Sequence, residues 1–89
     1  LARCADGSDD DRARALQGVG ALAQAQGDYV AAETALEQSL GLYRGLGDAA
    51  GLATSLNQLG QAALGAGDPA RAVALHEEAL ATARSAADD

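Results

Sequence analysis

The sequence predicts an all-α fold in which antiparallel helical hairpins stack side by side as an α-solenoid. Three observations predict it. Apolar residues recur at spacings of three and four, the breaks between them fall at Gly-Asp pairs, and one pattern occurs twice at a constant offset that carries Gly20 onto Gly60. Leu16-x-x-Val19-Gly20-x-x-Ala23-x-x-x-Gly27-Asp28 overlays Leu56-x-x-Leu59-Gly60-x-x-Ala63-x-x-x-Gly67-Asp68. The register continues through Ala32 with Ala72, Glu37 with Glu77, Leu40 with Leu80, Arg44 with Arg84 and Asp48 with Asp88.

Each unit reads as two helices, drawn at about 9–26, 29–45, 49–66 and 69–86. Ser8, Asp28, Asp48 and Asp68 are the N-cap candidates, because a short side-chain oxygen accepts from the free N–H groups of a first turn. Ser8-x-x-Asp11 has the form of a capping box, and Pro69 stands at a first helical position, where its missing N–H costs nothing. Gly27, Gly47 and Gly67 precede the Asp caps and suit the left-handed conformation that ends a helix. The acidic run Asp9, Asp10, Asp11 falls in a first turn on this reading, where carboxylates complement the helix dipole.

Gly20 and Gly60 lie mid-helix, where Gly costs roughly 1 kcal/mol relative to Ala. Both units nonetheless place one at the same point, so a gain must offset the cost. Close approach of the paired helix is that gain, with Ala32 and Ala72 as the small residues across the crossing. Leu16, Val19 and Ala23, and again Leu56, Leu59 and Ala63, form the buried stripe.

The chain has 89 residues, which allows one small domain: repeat one at about 9–47 and repeat two at about 48–88. Leu1 to Ala5 reads as the stub of a preceding helix, so the chain is expected to be an excised segment. It contains no Phe, Trp, Met or Lys and carries a net charge of −7. Nucleic-acid affinity rests on Lys and Arg neutralising phosphates, so this balance argues against it. No apolar run reaches the roughly 18 residues of a membrane span, and no basic stretch precedes an apolar one as in a signal peptide. Cys4 and His76 are the single Cys and the single His, too few for an internal disulfide or a metal site. The expected setting is the cytoplasm.

The pattern resembles the tetratricopeptide repeat, on Leu16, Val19, Gly20, Ala23, Ala32 and Leu36 in the first unit and Leu56, Leu59, Gly60, Ala63, Ala72 and His76 in the second. It departs in its period, which is longer than that of the standard repeat, and in His76, where a bulky apolar or aromatic residue is usual. The long period, with Tyr43-Arg44-Gly45-Leu46-Gly47-Asp48 and Gly51-Leu52-Ala53, is similar to the repeats of large bacterial LuxR-type activators, related signal-transduction ATPases and kinesin light chain. That resemblance implies a right-handed superhelix and a sensor or docking arm that binds a protein or peptide, with no cofactor. A scaffold that self-associates through its solenoid ends is the alternative, with dimer formation by the fragment, because Leu22, Val73, Leu75 and Leu80 lie on faces that a neighbouring repeat would cover.

In such arrays the first helices line a concave groove. The stripe beside their buried face is Arg14, Gln17, Ala21 and Gln24 in unit one, and Thr54, Asn57, Gln61 and Leu64 in unit two. Amides dominate it, and an amide both donates and accepts, which suits the backbone of an extended peptide. Ordinary solvated polar positions are the other reading. A Lys-based clamp for a terminal carboxylate is disfavoured without Lys. His76 reads as a half-buried residue with a satisfied ring nitrogen, a pH-sensitive contact being the other reading; Tyr29 and Tyr43 read as packing residues with exposed hydroxyls, and Glu77-Glu78 as exposed surface. No nucleophile–base pair or phosphate loop is present, since Gly18-Val19-Gly20 lies within a helix and lacks a following Gly-Lys-Ser/Thr. The chain reads as no enzyme.

Overall fold

The computed structural model describes the backbone of residues 2–88 and the side chains of residues 9–87. The reading of Leu1 and of the Cys4 side chain therefore lies outside the described residues. Within them the chain folds as α1 (Ala2–Ala25), α2 (Tyr29–Leu46), α3 (Ala49–Gly65) and α4 (Pro69–Asp88). Consecutive helices pack against each other, and α3 also touches α1 more sparsely. The result is a slab of 41 × 31 × 14 Å, which leaves room for a thin core only.

The three turns repeat one device at even spacing. Gly27, Gly47 and Gly67 take φ of 78°, 70° and 91°, the left-handed region that a Cβ penalises. The following Asp N–H then reaches back to the helix it has just left: Asp28 to the Ala23 carbonyl at 2.8 Å, Asp48 to Tyr43 at 3.1 Å, and Asp68 to Ala63 at 2.9 Å. Each Asp side chain also opens the next helix. Its Oδ1 accepts from the backbone N–H of Ala31 at 3.2 Å, Gly51 at 3.0 Å and Arg71 at 3.1 Å.

The start of α1 differs from expectation. The helix passes Gly7 and Ser8 without a break, so residues 2–5 are not a separate stub and Ser8 is not an N-cap. A lone Gly costs a helix about 1 kcal/mol but does not end it when no Pro and no left-handed turn follow. Asp9, Asp10 and Asp11 consequently stand in the helix interior instead of a first turn, and Asp10 pairs with Arg14 one turn on at 3.3 Å.

Large side chains pack where glycine removes a Cβ. A Cβ on Gly20 would lie 2.5 Å from Leu36 Cγ, and one on Gly60 would lie 2.7 Å from His76 Nε2. The crossing partners are thus Leu36 and His76 instead of Ala32 and Ala72, although both alanines are buried nearby. Two further sockets join the hairpins: Tyr43 covers Gly51, and Tyr29 covers Gly65. Tyr29 also packs on the cluster of Ala23, Ala32 and Ala62.

Leu56, Leu59 and Ala63 are buried as expected, and so is Ala23. Leu16 is half-buried, and Val19, read as core, is 53 % exposed. The difference has a packing cause: α3 lies between α2 and α4, whereas no described helix occupies the matching place beside α1. Leu22 is exposed on the same face. At the other side of the slab, Val73 and Leu80 of α4 are exposed while Leu75 is half-buried.

No Cα atom of α2 comes within 8 Å of one in α4 among the described residues, so these outer helices meet through long side chains alone. Arg71 on α4 reaches Glu33 at 2.6 Å and Glu37 at 3.0 Å on α2, and Arg44 on α2 reaches Glu78 on α4 at 3.7 Å.

The sockets give glycine substitutions opposite signs. Nothing lies within 4 Å of a Cβ placed on Gly18, so Gly18→Ala gains only helix propensity, about 1 kcal/mol, and raises Tm by about 4–8 °C. Gly20→Ala drives its methyl into buried Leu36, and overpacking of about 1–3 kcal/mol exceeds the propensity gain. Thermal melts should therefore separate the two variants on either side of the parent; equal shifts would show that the Leu36 socket is not tight.

Candidate functional site

The expected groove stripes run along α1 and α3, the first helices of the two hairpins. On α3, Thr54, Asn57, Gln61 and Leu64 all stand exposed, Leu64 at 59 %. Helix α3 contains no ionisable side chain over Ala49–Gly65. The open stripe is therefore neutral, with hydroxyl and amide groups followed by one apolar residue. Thr54 turns its hydroxyl hydrogen inward to the Ala50 carbonyl at 3.0 Å, leaving its oxygen lone pairs outward. Asn57 Oδ1 lies 3.1 Å from His76 Nδ1 of α4.

On α1 the stripe is less uniform. Arg14 is exposed and paired with Asp10, Ala21 is exposed, and Gln24 is half-buried. Gln17 points into the junction of α1, α2 and α3. Its Nε2 donates to Ser55 Oγ at 3.0 Å and to the Gly51 carbonyl at 3.3 Å, and its Oε1 accepts from the Tyr43 hydroxyl at 3.4 Å. Burial raises the Tyr43 pKa above the ordinary 10, helped by the Asp10 and Asp48 carboxylates and opposed by Arg14. The phenol therefore keeps the proton it donates, and the Tyr43 hydroxyl, expected to be exposed, is instead turned into the junction by this bond in a residue only 3 % exposed.

Two buried serines continue this junction. Ser39 Oγ donates to the Ala13 carbonyl at 2.9 Å and lies 3.1 Å from Ser55 Oγ. The polar line Ala13–Ser39–Ser55–Gln17–Tyr43 links all three helices and satisfies groups that would otherwise be costly inside. Sequence reading missed it, because Ser39 and Ser55 have Ala79 and Ala15 at the equivalent positions of the other unit and so fall outside the repeat pattern. Gln17 shares its register with Asn57, yet the two amides do different work: one fastens the hairpins together and the other stands in the open.

Other surfaces offer less. A shallow depression of about 350 Å³ between the start of α3 and the end of α4 is lined by Ala49, Glu78, Ala81, Thr82, Ser85 and Ala86. No helix among the described residues is long and apolar enough to cross a membrane. No group of three His, Cys, Asp or Glu side chains among them is placed to hold a metal ion.

Paired antiparallel helices, stacked in sequence order and capped by one repeated turn, define an α-solenoid, a class whose extended faces bind other molecules. The tetratricopeptide repeat family model matches residues 6–85, and the chain belongs to that family. Tetratricopeptide repeats are non-catalytic modules that mediate protein–protein interaction. No curated protein and no solved structure matches the chain.

The two amides give a direct test of the junction. Gln17→Ala removes hydrogen bonds to Ser55, Gly51 and Tyr43, and should cost about 1–3 kcal/mol. Exposed Gln61→Ala should stay within about 0.5 kcal/mol of the parent. Urea midpoints measure both; a Gln17→Ala midpoint equal to that of the parent would remove the junction from the account of stability.

Proposed function

We propose that the chain binds an extended protein segment or peptide along the α1/α3 face and serves as the docking arm of a larger bacterial signalling or transcriptional regulator in the cytoplasm. The observation that carries the binding face is the neutral open stripe of α3, with Thr54, Asn57, Gln61 and Leu64 exposed on a helix free of ionisable groups. Side chains of this kind hydrogen-bond a peptide backbone without demanding charge from its side chains, and Leu64 adds an apolar contact at one end. Arg14, Ala21 and Gln24 flank this stripe from α1, and Gln17 anchors the wall from behind. The regulator role is supported by the long period that carries Gly20 onto Gly60, which resembles the repeats of such proteins.

The test is selection of binders from a displayed library of random peptides, followed by affinity measurements on variants. Asn57→Ala and Gln61→Ala should each weaken a selected peptide by about tenfold, some 1.4 kcal/mol, with unchanged Tm. Binders that respond instead to changes at Glu37 and Glu77 on the second helices would overturn this face as the site.

A second reading, self-association through the solenoid ends, draws on the register of α1. Ala15, Val19 and Leu22 are exposed, whereas their counterparts in the second unit, Ser55, Leu59 and Ala62, are buried against neighbouring helices. Sedimentation velocity over micromolar concentrations should then show a dimer that Leu22→Glu abolishes. A monomer throughout would exclude this reading.

A further inference from the structure

Leu36 and His76 occupy equivalent places in the two hairpins, each set over the glycine of the paired helix. Leucine fills that socket in the first hairpin. The imidazole in the second fills it too, and adds a polar edge that leucine lacks. Half-buried His76 directs Nδ1 to Asn57 Oδ1 at 3.1 Å, and Asn57 is an exposed member of the α3 stripe.

The chemistry of this contact fixes a direction. An amide oxygen has no proton to give, so Nδ1–H is the donor and Oδ1 the acceptor. With Oδ1 turned to the ring, the Asn57 Nδ2 keeps both of its N–H groups for the groove. From this geometry we infer that His76 is a positioning residue of the groove: it orients the Asn57 amide so that two donors face outward, toward the backbone carbonyls of an extended peptide. The inference rests on the groove reading above, but the orientation itself is a property of the free protein.

The ring nitrogens are not equivalent in this setting. His76 Nε2 is packed over Gly60, so Nδ1 is the edge that meets Asn57. A neutral imidazole has two tautomers, and the Nε2–H form would accept at Nδ1 and allow the amide to turn over, placing Oδ1 in the groove. The tautomer of His76 therefore decides which end of the Asn57 amide faces outward.

NMR on the ¹⁵N-labelled full chain tests this without any ligand. Long-range ¹H–¹⁵N spectra should show His76 as the Nδ1–H tautomer at neutral pH. In His76→Leu, which copies the first hairpin, the Asn57 Nδ2 resonances should shift while helicity by circular dichroism is kept. His76→Gln, which keeps an N–H donor at this place, should restore their position. A neutral Nε2–H tautomer, or Asn57 resonances unmoved in His76→Leu, would overturn the proposal. Failure of the groove reading looks different: the Nδ1–H tautomer and the Asn57 shift persist while peptides selected from the library map elsewhere.

Discussion

The structure depends on letting large side chains reach a facing backbone. With no Phe, Trp or Met, the chain has few bulky groups, and four of them sit where glycine has cleared a Cβ. Leu36 over Gly20 and His76 over Gly60 close the two hairpins; Tyr43 over Gly51 and Tyr29 over Gly65 join one hairpin to the next. Each glycine weakens its own helix by about 1 kcal/mol, a loss offset by contact the missing methyl makes possible. Three of the four bulky residues belong to α2. Tyr29, Leu36 and Tyr43 are evenly spaced two helical turns apart, so they share one stripe that lies in the seam between α1 and α3.

How legible this was depended on whether a feature repeats. The caps Asp28, Asp48 and Asp68 and the turns at Gly27, Gly47 and Gly67 recur at even spacing, so their places and chemistry follow from the letters alone. Gly20 and Gly60 recur as well, and their role as crossing points follows from the cost they carry. Their partners did not follow. Ala32 and Leu36 lie one turn apart on the same face, and helical periodicity cannot say which of them stands above the glycine. The tyrosine sockets and the Ser39–Ser55–Gln17 junction occur once, and a method that reads repetition passes over what is unique. Val19 illustrates a different limit: periodicity identifies an apolar face but not whether a neighbouring element covers it.

The candidate site shows the same division of labour within one residue type. Gln17 and Asn57 were equivalent as letters in a stripe of amides. Tyr43, Ser55 and the Gly51 carbonyl draw Gln17 inward, because a junction containing two buried hydroxyls needs an amide to complete it. Asn57 is shorter and, among the described residues, makes its side-chain hydrogen bond to His76, so half of its hydrogen-bonding capacity remains outside. The interface between hairpins and the open face of α3 are thus adjoining sides of one helix, with Gly51 and Thr54 three residues apart. Ser55 and Gly51 face the seam while Thr54, Asn57 and Gln61 face outward, and residues that stabilise the stack are spatially separate from those left free for a ligand.

The outer layer has a mechanical consequence. Helices α2 and α4 are tied by Arg71 to Glu33 and Glu37 and by Arg44 to Glu78, with no close approach of backbones. The inner seam is held by interlocked side chains, which resist displacement steeply; the outer ties are partly solvated charges, whose pull fades gradually with distance and with ionic strength. The two hairpins are therefore joined by two kinds of contact, a close-packed seam along α2 and α3 and charged ties along the outer edges. In a longer stack of such units the charged ties would recur at every junction, so their salt-sensitive share of the packing accumulates along the array while the interlocked seam is indifferent to salt.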